Sequence, residues 1–274
     1  MSDRFAGQWA LVTGAGSGIG EATSAALVAR GAKVWLVDRD AERIAAVQQR
    51  LGAENTRTAT VDVSDREAMR ALAERVHAET GPLSILVNNA GYAVVGSAFE
   101  TTLEQWEQQL SVNLMGVIYG AQLFGPQMAE APGPASIVNT ASAAGLTGLP
   151  MMSAYSVSKC AVVAYSQSLG AEHDVDRLHV MAVCPGFLPT RIGEDADYAG
   201  RFTEGRRNKR VKRMINREGR RPEEVADAIL GGIERRSPLV HVYGESWQLE
   251  LVSRLLPRRV LHRFKRKSAS KLGR

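Results

Sequence analysis

Cysteine is scarce in this sequence, which contains only Cys160 and Cys184. Two thiols are too few for a framework of disulfides or a cysteine-based zinc cluster. Long apolar runs are also missing: no stretch reaches the roughly eighteen residues that a bilayer-crossing helix needs, and the first residues lack the basic-then-apolar order of a secretory signal. We therefore expect a cytoplasmic protein without a structural metal, and we assign neither cysteine a function.

The composition excludes disordered and fibrous proteins, because 45% of the 274 residues are apolar and 23% are charged. The positive charge is concentrated late in the sequence. Residues 201–221 carry a net charge of +8 and residues 251–274 carry +9, whereas the rest of the chain sums to −12, which gives +5 overall. This division predicts a local basic surface rather than a protein coated throughout for nucleic acid.

Short apolar runs alternate with longer helical patterns, as is typical of an α/β protein with a parallel sheet. Strands are predicted at 9–13, 33–38, 56–62, 83–87, 135–140, 178–184 and 239–242. Helices are predicted before Gly31 and at 40–51, 65–80, about 102–130, about 153–172 and 222–235. Ser64 and Glu67 have the spacing of a capping box for the third of these helices. We expect one doubly wound domain over 1–245 and a basic, amphipathic helical extension over 246–274.

A glycine-rich segment, Thr13–Gly20, lies where the first strand passes into the first helix. Its tight turn and the free amides of the helix start favour binding of a pyrophosphate. The candidate cofactor-binding residues of this segment are Gly14, Ser17, Gly18, Ile19 and Gly20. Asp38 closes the next strand at about the spacing of a ribose ligand, although it could instead cap the helix at 40–51.

Asp38 favours NAD over NADP, because a carboxylate hydrogen-bonds the two ribose hydroxyls and repels a 2′-phosphate. Arg39 complicates this prediction, since a guanidinium beside the ribose could accommodate that phosphate. Ser17 supplies no second positive charge in the turn. We therefore predict NAD as the cofactor and keep NADP as the less favoured alternative.

Tyr155 and Lys159 lie four positions apart, and hence on one face of a predicted helix. Alone, such a pair is most often a surface contact. Further candidates accompany it: Asn88–Gly91 after the fourth strand, Asn113 in the helix at 102–130, Ser142 after the fifth strand and Pro185-Gly186 after the sixth. Strand ends are where a parallel sheet places its ligands, so these residues are expected to form one site.

With these motifs in order over about residues 6–243, the sequence resembles the short-chain dehydrogenase/reductase family. The resemblance implies a Rossmann-type sheet of about seven strands and hydride transfer between a CH–OH group and a nicotinamide cofactor. It makes Tyr155 the general acid and base and Lys159 its activator and a ribose ligand. Ser142 becomes the partner of the substrate oxygen and Asn113 the anchor of a proton relay.

The roles that the resemblance gives to Tyr155 and Lys159 also make independent chemical sense. Lowering a phenol pKa from near 10 by about three units requires roughly 4 kcal/mol of preferential phenolate stabilisation. Lys159 and the positive nicotinamide of bound NAD could supply it.

The resemblance implies further cofactor contacts. Asp62 and Val63 would contact adenine, the backbone of Asn89, Ala90 and Gly91 would line the cleft, and Pro185, Gly186 and Thr190 would hold the nicotinamide end. Asp62 could instead cap a helix, Pro185-Gly186 could form a simple turn, and Thr190 could be one of many exposed threonines. The resemblance also implies a homodimer or homotetramer built on the helices around 102–130 and 153–172.

Residues 187–221 fall where the family places its variable substrate lid. Apolar residues there and in the loop before Tyr155 could wall a pocket or simply pack: Phe187, Leu188, Ile192, Tyr198 and Phe202, with Leu146, Leu149, Met151 and Met152. We expect a hydrophobic secondary alcohol or its ketone, lipid-, steroid- or retinoid-like, ahead of a small polar substrate.

Two alternative functions remain open. A 3-oxoacyl thioester reductase is favoured by the basic lid and disfavoured by Asp38. A non-catalytic NAD sensor or scaffold is disfavoured by the intact Ser142, Tyr155 and Lys159 set.

The C-terminal segment has apolar residues at helical spacing: Leu249, Val252, Leu256, Val260 and Phe264. Pro257 is expected to split it into two short helices, followed by disorder over 265–274. Arg254, Arg258, Arg259 and Arg263 would either meet the headgroups of an anionic membrane or stay in solvent while the apolar side packs on the body or a neighbouring subunit. Nucleic-acid binding is not expected, because no recognition module accompanies the basic residues.

Overall fold

The computed structural model describes residues 5–186, 196–204, 209 and 220–272. The strands are β1 (Trp9–Thr13), β2 (Lys33–Asp38), β3 (Thr56–Thr60), β4 (Ile85–Asn88), β5 (Val94–Val95), β6 (Ala135–Thr140), β7 (Leu178–Pro185), β8 (Asp197–Tyr198) and β9 (Leu239–Val242). The helices are α1 (Gly18–Val28), α2 (Ala41–Leu51), α3 (Arg66–Thr80), α4 (Leu103–Leu110), α5 (Gly116–Glu130), α6 (Ser153–Ala171), α7 (Pro222–Arg235), α8 (Gly244–Leu255) and α9 (Arg258–Leu272).

Seven strands form one parallel sheet in the order β3-β2-β1-β4-β6-β7-β9. In its register Val12 of β1 pairs with Leu36 of β2 on one side and with Val87 of β4 on the other. The strand order reverses beside β1, which creates the crevice where such sheets bind nucleotides. The predicted doubly wound α/β fold is therefore confirmed. The two-residue strands β5 and β8, which pair with each other outside the main sheet, were not predicted.

Successive residues of the central strands point to opposite faces of the sheet, and each face has its own core. Val12 and Leu36 pack with Leu27 of α1 and Ile229 of α7. The other face holds a second cluster: Leu11, Trp35, Val76 of α3 and Phe124 of α5. Because helices cover both faces, the central strands β1, β2 and β4 are largely apolar, whereas β3 at the edge of the sheet is mostly polar.

Two local expectations were wrong, and one was right but incomplete. Helix α3 is capped by Asp65, whose carboxylate accepts from the backbone N–H groups of Glu67 and Ala68, whereas Ser64 hydrogen-bonds Asp62 instead. The helical region expected over about 102–130 is confirmed as α4 and α5, and a π-helical turn at Ser111–Met115 that was not predicted joins them. Helix α9 continues to Leu272, where disorder was expected.

The C-terminal segment forms two helices on either side of Pro257, as predicted. The expected boundary at 245/246 falls inside α8 and stays a prediction. This helix is attached to the body: Ser246 donates to the Cys184 carbonyl (2.7 Å), and Ser253 donates to that of Leu146 (3.3 Å). Leu249 and Val252 are half-buried, so part of the expected apolar side faces the body.

Across the described helices, none combines the length and the apolar character required to cross a membrane.

The capping of α3 gives a direct test of local stability. Asp65→Ala is expected to lower the free energy of unfolding by about 1 kcal/mol, because two N–H groups of the first turn lose their acceptor. Ser64→Ala is the matched control and should cost less than about 0.5 kcal/mol. Urea denaturation of both variants measures the difference, and a larger cost for Ser64→Ala would restore the capping box predicted from the sequence.

Candidate active site

A single long cleft runs along the carboxyl ends of β1, β2, β4, β6 and β7. Most of the residues singled out from the sequence line it: Gly14, Ser17, Gly18, Ile19, Asp38, Asp62, Val63, Asn89, Ala90, Gly91, Ser142, Tyr155, Lys159, Pro185 and Gly186. Gly20 and Asn113 lie behind its wall, and Thr190 is outside the described residues. The structure thus brings together residues that are far apart in the sequence.

The turn after β1 is shaped by two close approaches of backbone. A Cβ atom on Gly14, whose φ is +65°, would meet the Ala90 Cα atom at 2.9 Å. A Cβ atom on Gly20 would come within 2.1 Å of the Gly14 carbonyl oxygen. Gly20 therefore allows α1 to pack closely against the glycine turn, and it does not line the cleft itself. The result is a cradle of small residues at the positive end of a helix, which fits a pyrophosphate.

Asp38 joins this turn to the end of β2. Its carboxylate accepts from the backbone N–H groups of Gly16 (3.0 Å) and Asp40 (3.1 Å). The cap of α2 is Asp40, which accepts from the backbone of Arg43, so Asp38 does not cap that helix.

Arg39 and Arg43 both line the same end of the cleft, and Arg43 pairs with Asp40 at 2.8 Å. The sequence analysis missed Arg43 as a second positive charge at this end. Arg43 lies in the first turn of α2, close to the carboxyl end of β2. This position was the sequence signal that its side chain could reach the cleft.

The ends of β1 and β4 are tied together by Thr13 and Asn89. The Thr13 hydroxyl oxygen accepts from the backbone N–H groups of Asn89 (2.9 Å) and Ala90 (3.0 Å). The Asn89 side-chain amide donates to the Thr13 carbonyl (3.0 Å), and its oxygen accepts from Thr140 at the end of β6 (3.4 Å). This network sets the width of the cleft between the glycine turn and the Asn-Asn-Ala-Gly turn.

Tyr155 and Lys159 are buried next to each other, and the half-buried Ser142 lies beside them. Ser142 faces the Tyr155 phenol closely enough to lower its pKa, and the Ser142 hydroxyl oxygen accepts from the Ala144 N–H (3.1 Å). The Lys159 ammonium lies 5.9 Å from the centroid of the Tyr155 ring and donates to the Thr140 carbonyl at 2.7 Å. The pair is therefore not an exposed surface contact: Lys159 is only 3% exposed.

Burial changes the acidity of both groups. It raises the pKa of the Tyr155 phenol, and the Ser142 hydrogen bond opposes this rise. Burial lowers the pKa of Lys159 from 10.5 to about 8. Both shifts have the expected direction, because a low dielectric disfavours the phenolate of Tyr155 and the ammonium of Lys159.

Asn113 supports the cluster from the π-helical turn. Its side-chain oxygen accepts from the Tyr92 N–H (3.1 Å), and its amide donates to the Tyr92 carbonyl (2.9 Å) and to the Ser158 hydroxyl (3.4 Å). It borders Gly91, where an added Cβ atom would lie 3.1 Å from the Asn113 oxygen and 3.5 Å from the Lys159 nitrogen. A π-helical turn often marks a functional position, but no sequence pattern announced it here.

The wall beside Tyr155 is apolar. Ala93, Ala144, Leu149 and Met152 line the cleft there, and Phe202 is fully buried against them. Tyr198 and Met151 contact this cluster, whereas Leu146 packs elsewhere. Phe187, Leu188 and Ile192, predicted for the same wall, are outside the described residues.

Tyr92 is a lining residue that the sequence analysis did not single out. Its hydroxyl is buried without a hydrogen-bond partner among the described residues. Burial raises its pKa to about 12, so it stays a neutral donor at physiological pH.

Glu245 presses against the turn that ends β7. An added Cβ atom on Gly186 would come within 2.2 Å of a Glu245 carboxylate oxygen. Both carboxylate oxygens accept from the Arg220 guanidinium, which stacks 4.2 Å from the centroid of the Tyr243 ring. The pair therefore fixes Gly186 at one end of the cleft.

Comparisons with known proteins agree with this geometry. The family described as short chain dehydrogenase matches residues 8–199. The chain is 36% identical over 253 residues to the probable oxidoreductase EphD of Mycobacterium tuberculosis, covering 90% of this chain and 43% of that protein. It is 38% identical over 229 residues to the D-threitol dehydrogenase of Mycolicibacterium smegmatis, covering 82% of this chain and 85% of that protein. A short chain dehydrogenase/reductase from Burkholderia phymatum, solved in complex with NAD, superposes with a TM-score of 0.79 at 30% identity over 86% of this chain and 89% of its own.

The chain belongs to the short-chain dehydrogenase/reductase family. This confirms the family and the Rossmann-type fold that the sequence motifs predict. The chain spans less than half the length of the EphD proteins it matches.

The buried ammonium leads to a prediction about stability. Lys159→Met is expected to raise the free energy of unfolding at pH 7 by up to about 3 kcal/mol, because it removes a cation whose pKa burial lowers from 10.5 to about 8. In the unsubstituted protein the folded state binds fewer protons than the unfolded state between those values. Stability should therefore rise with pH through this window, and the variant should lack the rise.

Urea denaturation at pH 7 and pH 9 measures both effects. Lys33→Met, at an exposed lysine, is the control and should keep the pH dependence. A Lys159→Met variant that is less stable and keeps the original slope would show that the ammonium is not desolvated.

Proposed function

We propose that this chain is an NAD(H)-dependent oxidoreductase that interconverts a hydrophobic secondary alcohol and its ketone, with Tyr155 as the general acid and base. The observation that carries the proposal is the cluster formed by the buried Tyr155 and Lys159 with the half-buried Ser142. It stands at one end of the cleft, beside an apolar wall, while the glycine turn and Asp38 form the other end.

The described residues fit a nicotinamide dinucleotide. The amides at the start of α1 would hold the pyrophosphate, Asp38 the adenosine ribose, and Lys159 the second ribose. Further contacts are proposed for Asp62 and Val63 at the adenine, for the Asn89–Gly91 backbone along the cleft, and for Pro185, Gly186 and Thr190 at the nicotinamide. When bound, the nicotinamide ring supplies or takes up the hydride.

Tyr155 would exchange the proton with the substrate oxygen. Burial keeps its phenol protonated at neutral pH, and a protonated phenol can donate to the oxygen of a ketone during reduction. During oxidation it must first lose that proton. Lys159, with a pKa of about 8, is mostly cationic at pH 7 and would stabilise the phenolate.

Ser142 and Asn113 would assist this proton transfer in different ways. Ser142 would hold the substrate oxygen beside the phenol. Asn113 would anchor the proton relay from behind the cleft.

Cofactor preference depends on the charges at the adenosine end. The Asp38 carboxylate faces the cleft, and a 2′-phosphate there would be repelled. Arg39 and Arg43 act in the opposite direction, but Arg43 is paired with Asp40. The balance favours NAD, with NADP as the alternative.

The apolar wall of Ala93, Ala144, Leu149 and Met152 supports a substrate with a hydrophobic body, lipid-, steroid- or retinoid-like. The relative named D-threitol dehydrogenase acts, by its name, on a small polyol, so a small polar alcohol is the nearest competitor. A 3-oxoacyl thioester reductase would depend on the basic residues of 201–221, most of which lie outside the described residues. A non-catalytic sensor would not need the complete Ser142, Tyr155 and Lys159 set.

We also propose a homodimer or homotetramer formed through α4, α5 and α6. Large apolar side chains are exposed on or next to these helices: Phe99, Leu103 and Val157. Apolar groups of this size are favoured at subunit interfaces. A cytoplasmic location stays a prediction.

The first test of the mechanism is Tyr155→Phe. Turnover should fall by at least about 100-fold, because the variant keeps the ring and loses the proton that it transfers. The assay follows reduced-nicotinamide absorbance with secondary alcohols graded from short and polar to long and apolar, and turnover should rise with apolar length.

Tyr165→Phe, on the same helix but away from the cleft, is the control and should keep activity. Calorimetric NAD binding should persist in Tyr155→Phe. Retention of most turnover by this variant would refute the assigned acid and base.

The second test concerns the cofactor. The unsubstituted protein should show a higher kcat/KM with NAD than with NADP, and Asp38→Ser should shift this ratio toward NADP by at least about tenfold, because Arg39 and Arg43 remain. Asp62→Ser is the control: it changes another carboxylate of the same cleft and should affect both cofactors equally. An unsubstituted protein that prefers NADP would contradict the prediction.

A further inference from the structure

The free side of α8 carries a row of exposed apolar residues. Trp247, Leu251 and Leu255 are 55%, 40% and 71% exposed. Their spacing of four places them along one line of the helix, about 12 Å long. The neighbouring positions on this side are Arg254 and Gln248, both exposed.

The opposite side of α8 is fixed to the body, so the row is displayed in a defined orientation. Ser246 and Ser253 hydrogen-bond the Cys184 and Leu146 carbonyls. Glu250 pairs with His241 at 2.7 Å and with Arg254 at 2.6 Å. The helix therefore does not need the exposed row for its own attachment.

Exposed apolar side chains are concentrated in this part of the structure. Among the described residues, nine large hydrophobic side chains are exposed, and five of them fall between 247 and 260: Trp247, Leu251, Leu255, Leu256 and Val260. A concentration of this kind on a surface marks a contact site rather than the usual scatter of single apolar residues.

The residues around this row are basic, and their charge indicates what kind of partner the surface attracts. Residues 251–274 contain nine Arg and Lys residues and no acidic residue. Arg258, Arg259 and Arg263 are exposed on α9, and Glu250, the last acidic residue of the sequence, is already paired. A second copy docking through the same face would bring two such basic segments together and would be repelled, whereas an anionic partner would be attracted.

We propose that α8 and the start of α9 form a docking surface for an anionic lipid bilayer, with the row of Trp247, Leu251 and Leu255 lying at the level of the headgroups. The row stands on a convex helix, whereas a partner helix or peptide docks into a groove. An indole is suited to the interface because its ring is apolar and its N–H is polar. The flanking arginines would contact lipid phosphates or carboxylates. This proposal is independent of the catalytic one.

Vesicle flotation of the full chain tests the proposal. The probes are vesicles of phosphatidylcholine with about 30% phosphatidylserine and vesicles of phosphatidylcholine alone, both in about 100 mM NaCl. Binding should be at least tenfold stronger to the anionic vesicles and should weaken severalfold when NaCl is raised to about 500 mM, because salt screens the attraction. Equal binding to both vesicles, or none to either, would overturn the proposal without any variant.

Two pairs of variants locate the surface. Leu255→Ser should weaken vesicle binding at least fivefold, whereas Val175→Ser, at another exposed apolar residue, should not. The charge reversals Arg258→Glu and Arg259→Glu together should abolish binding, whereas Arg66→Glu and Arg177→Glu together should leave most of it. The circular-dichroism spectrum and the melting temperature should stay unchanged in all four variants, which shows that they fold.

Two outcomes would identify another occupant. If Leu251→Ser with Leu255→Ser changes the mass measured by light scattering but not vesicle binding, a second copy of the chain covers this face and the proposal is wrong. If both serine and glutamate variants float as the unsubstituted protein does, the lipid contact lies elsewhere and the proposal is wrong as well.

Discussion

Two backbone N–H groups of one turn converge on the hydroxyl of Thr13, and the geometry of the cleft depends on this junction. The bonds hold the Asn-Asn-Ala-Gly turn after β4 against the glycine turn after β1, so that Gly14 and Ala90 approach at a distance that only glycine permits. Asn89 extends the junction to Thr140, whose carbonyl also accepts from Lys159. Hydrogen bonds through Thr13, Asn89 and Thr140 thus link the glycine-turn end of the cleft to the buried Lys159 ammonium.

The same burial that organises the site makes it costly. The buried Lys159 ammonium donates to the Thr140 carbonyl. Its pKa falls to about 8 because the loss of hydration on burial disfavours the charged form. Tyr155 is displaced in the opposite sense, toward the neutral phenol. An environment that raises the energy of both charged forms lowers the stability of the fold, and it suits the proton transfer that we propose for Tyr155.

The positions of most cleft residues follow from the sequence because parallel strands end at one edge. Asp38, Asn89, Ser142 and Gly186 each follow an apolar run, and this alone predicts that they meet. The sequence does not predict the positions of side chains whose direction depends on where a helix starts or on an irregular helical turn. Arg43 reaches the cleft because α2 begins at Ala41, and Asn113 reaches Tyr92 because five residues adopt a π-helical turn.

Competition between neighbouring side chains explains the other difference. Ser64 and Asp65 are both good capping residues, and only the contact of Ser64 with Asp62 decides which one caps α3. The membrane-facing row proposed on α8 likewise could not be separated from the packed side by spacing alone, since Leu249 and Leu251 are equally apolar. Which of them is buried depends on how the helix sits on β9 and on the loop at Leu146.

Glu245 has a consequence for how substrate pockets can diversify on this scaffold. It contacts Gly186 and binds Arg220, so the two ends of the intervening segment, residues 187–219, are held at one carboxylate. Closing a loop between fixed ends costs a free energy that grows only slowly with the number of residues. A change in the length of this segment outside β8 and the buried Phe202 therefore costs little free energy of loop closure, so proteins built on this scaffold can differ in length here while Gly186 and Arg220 keep their places.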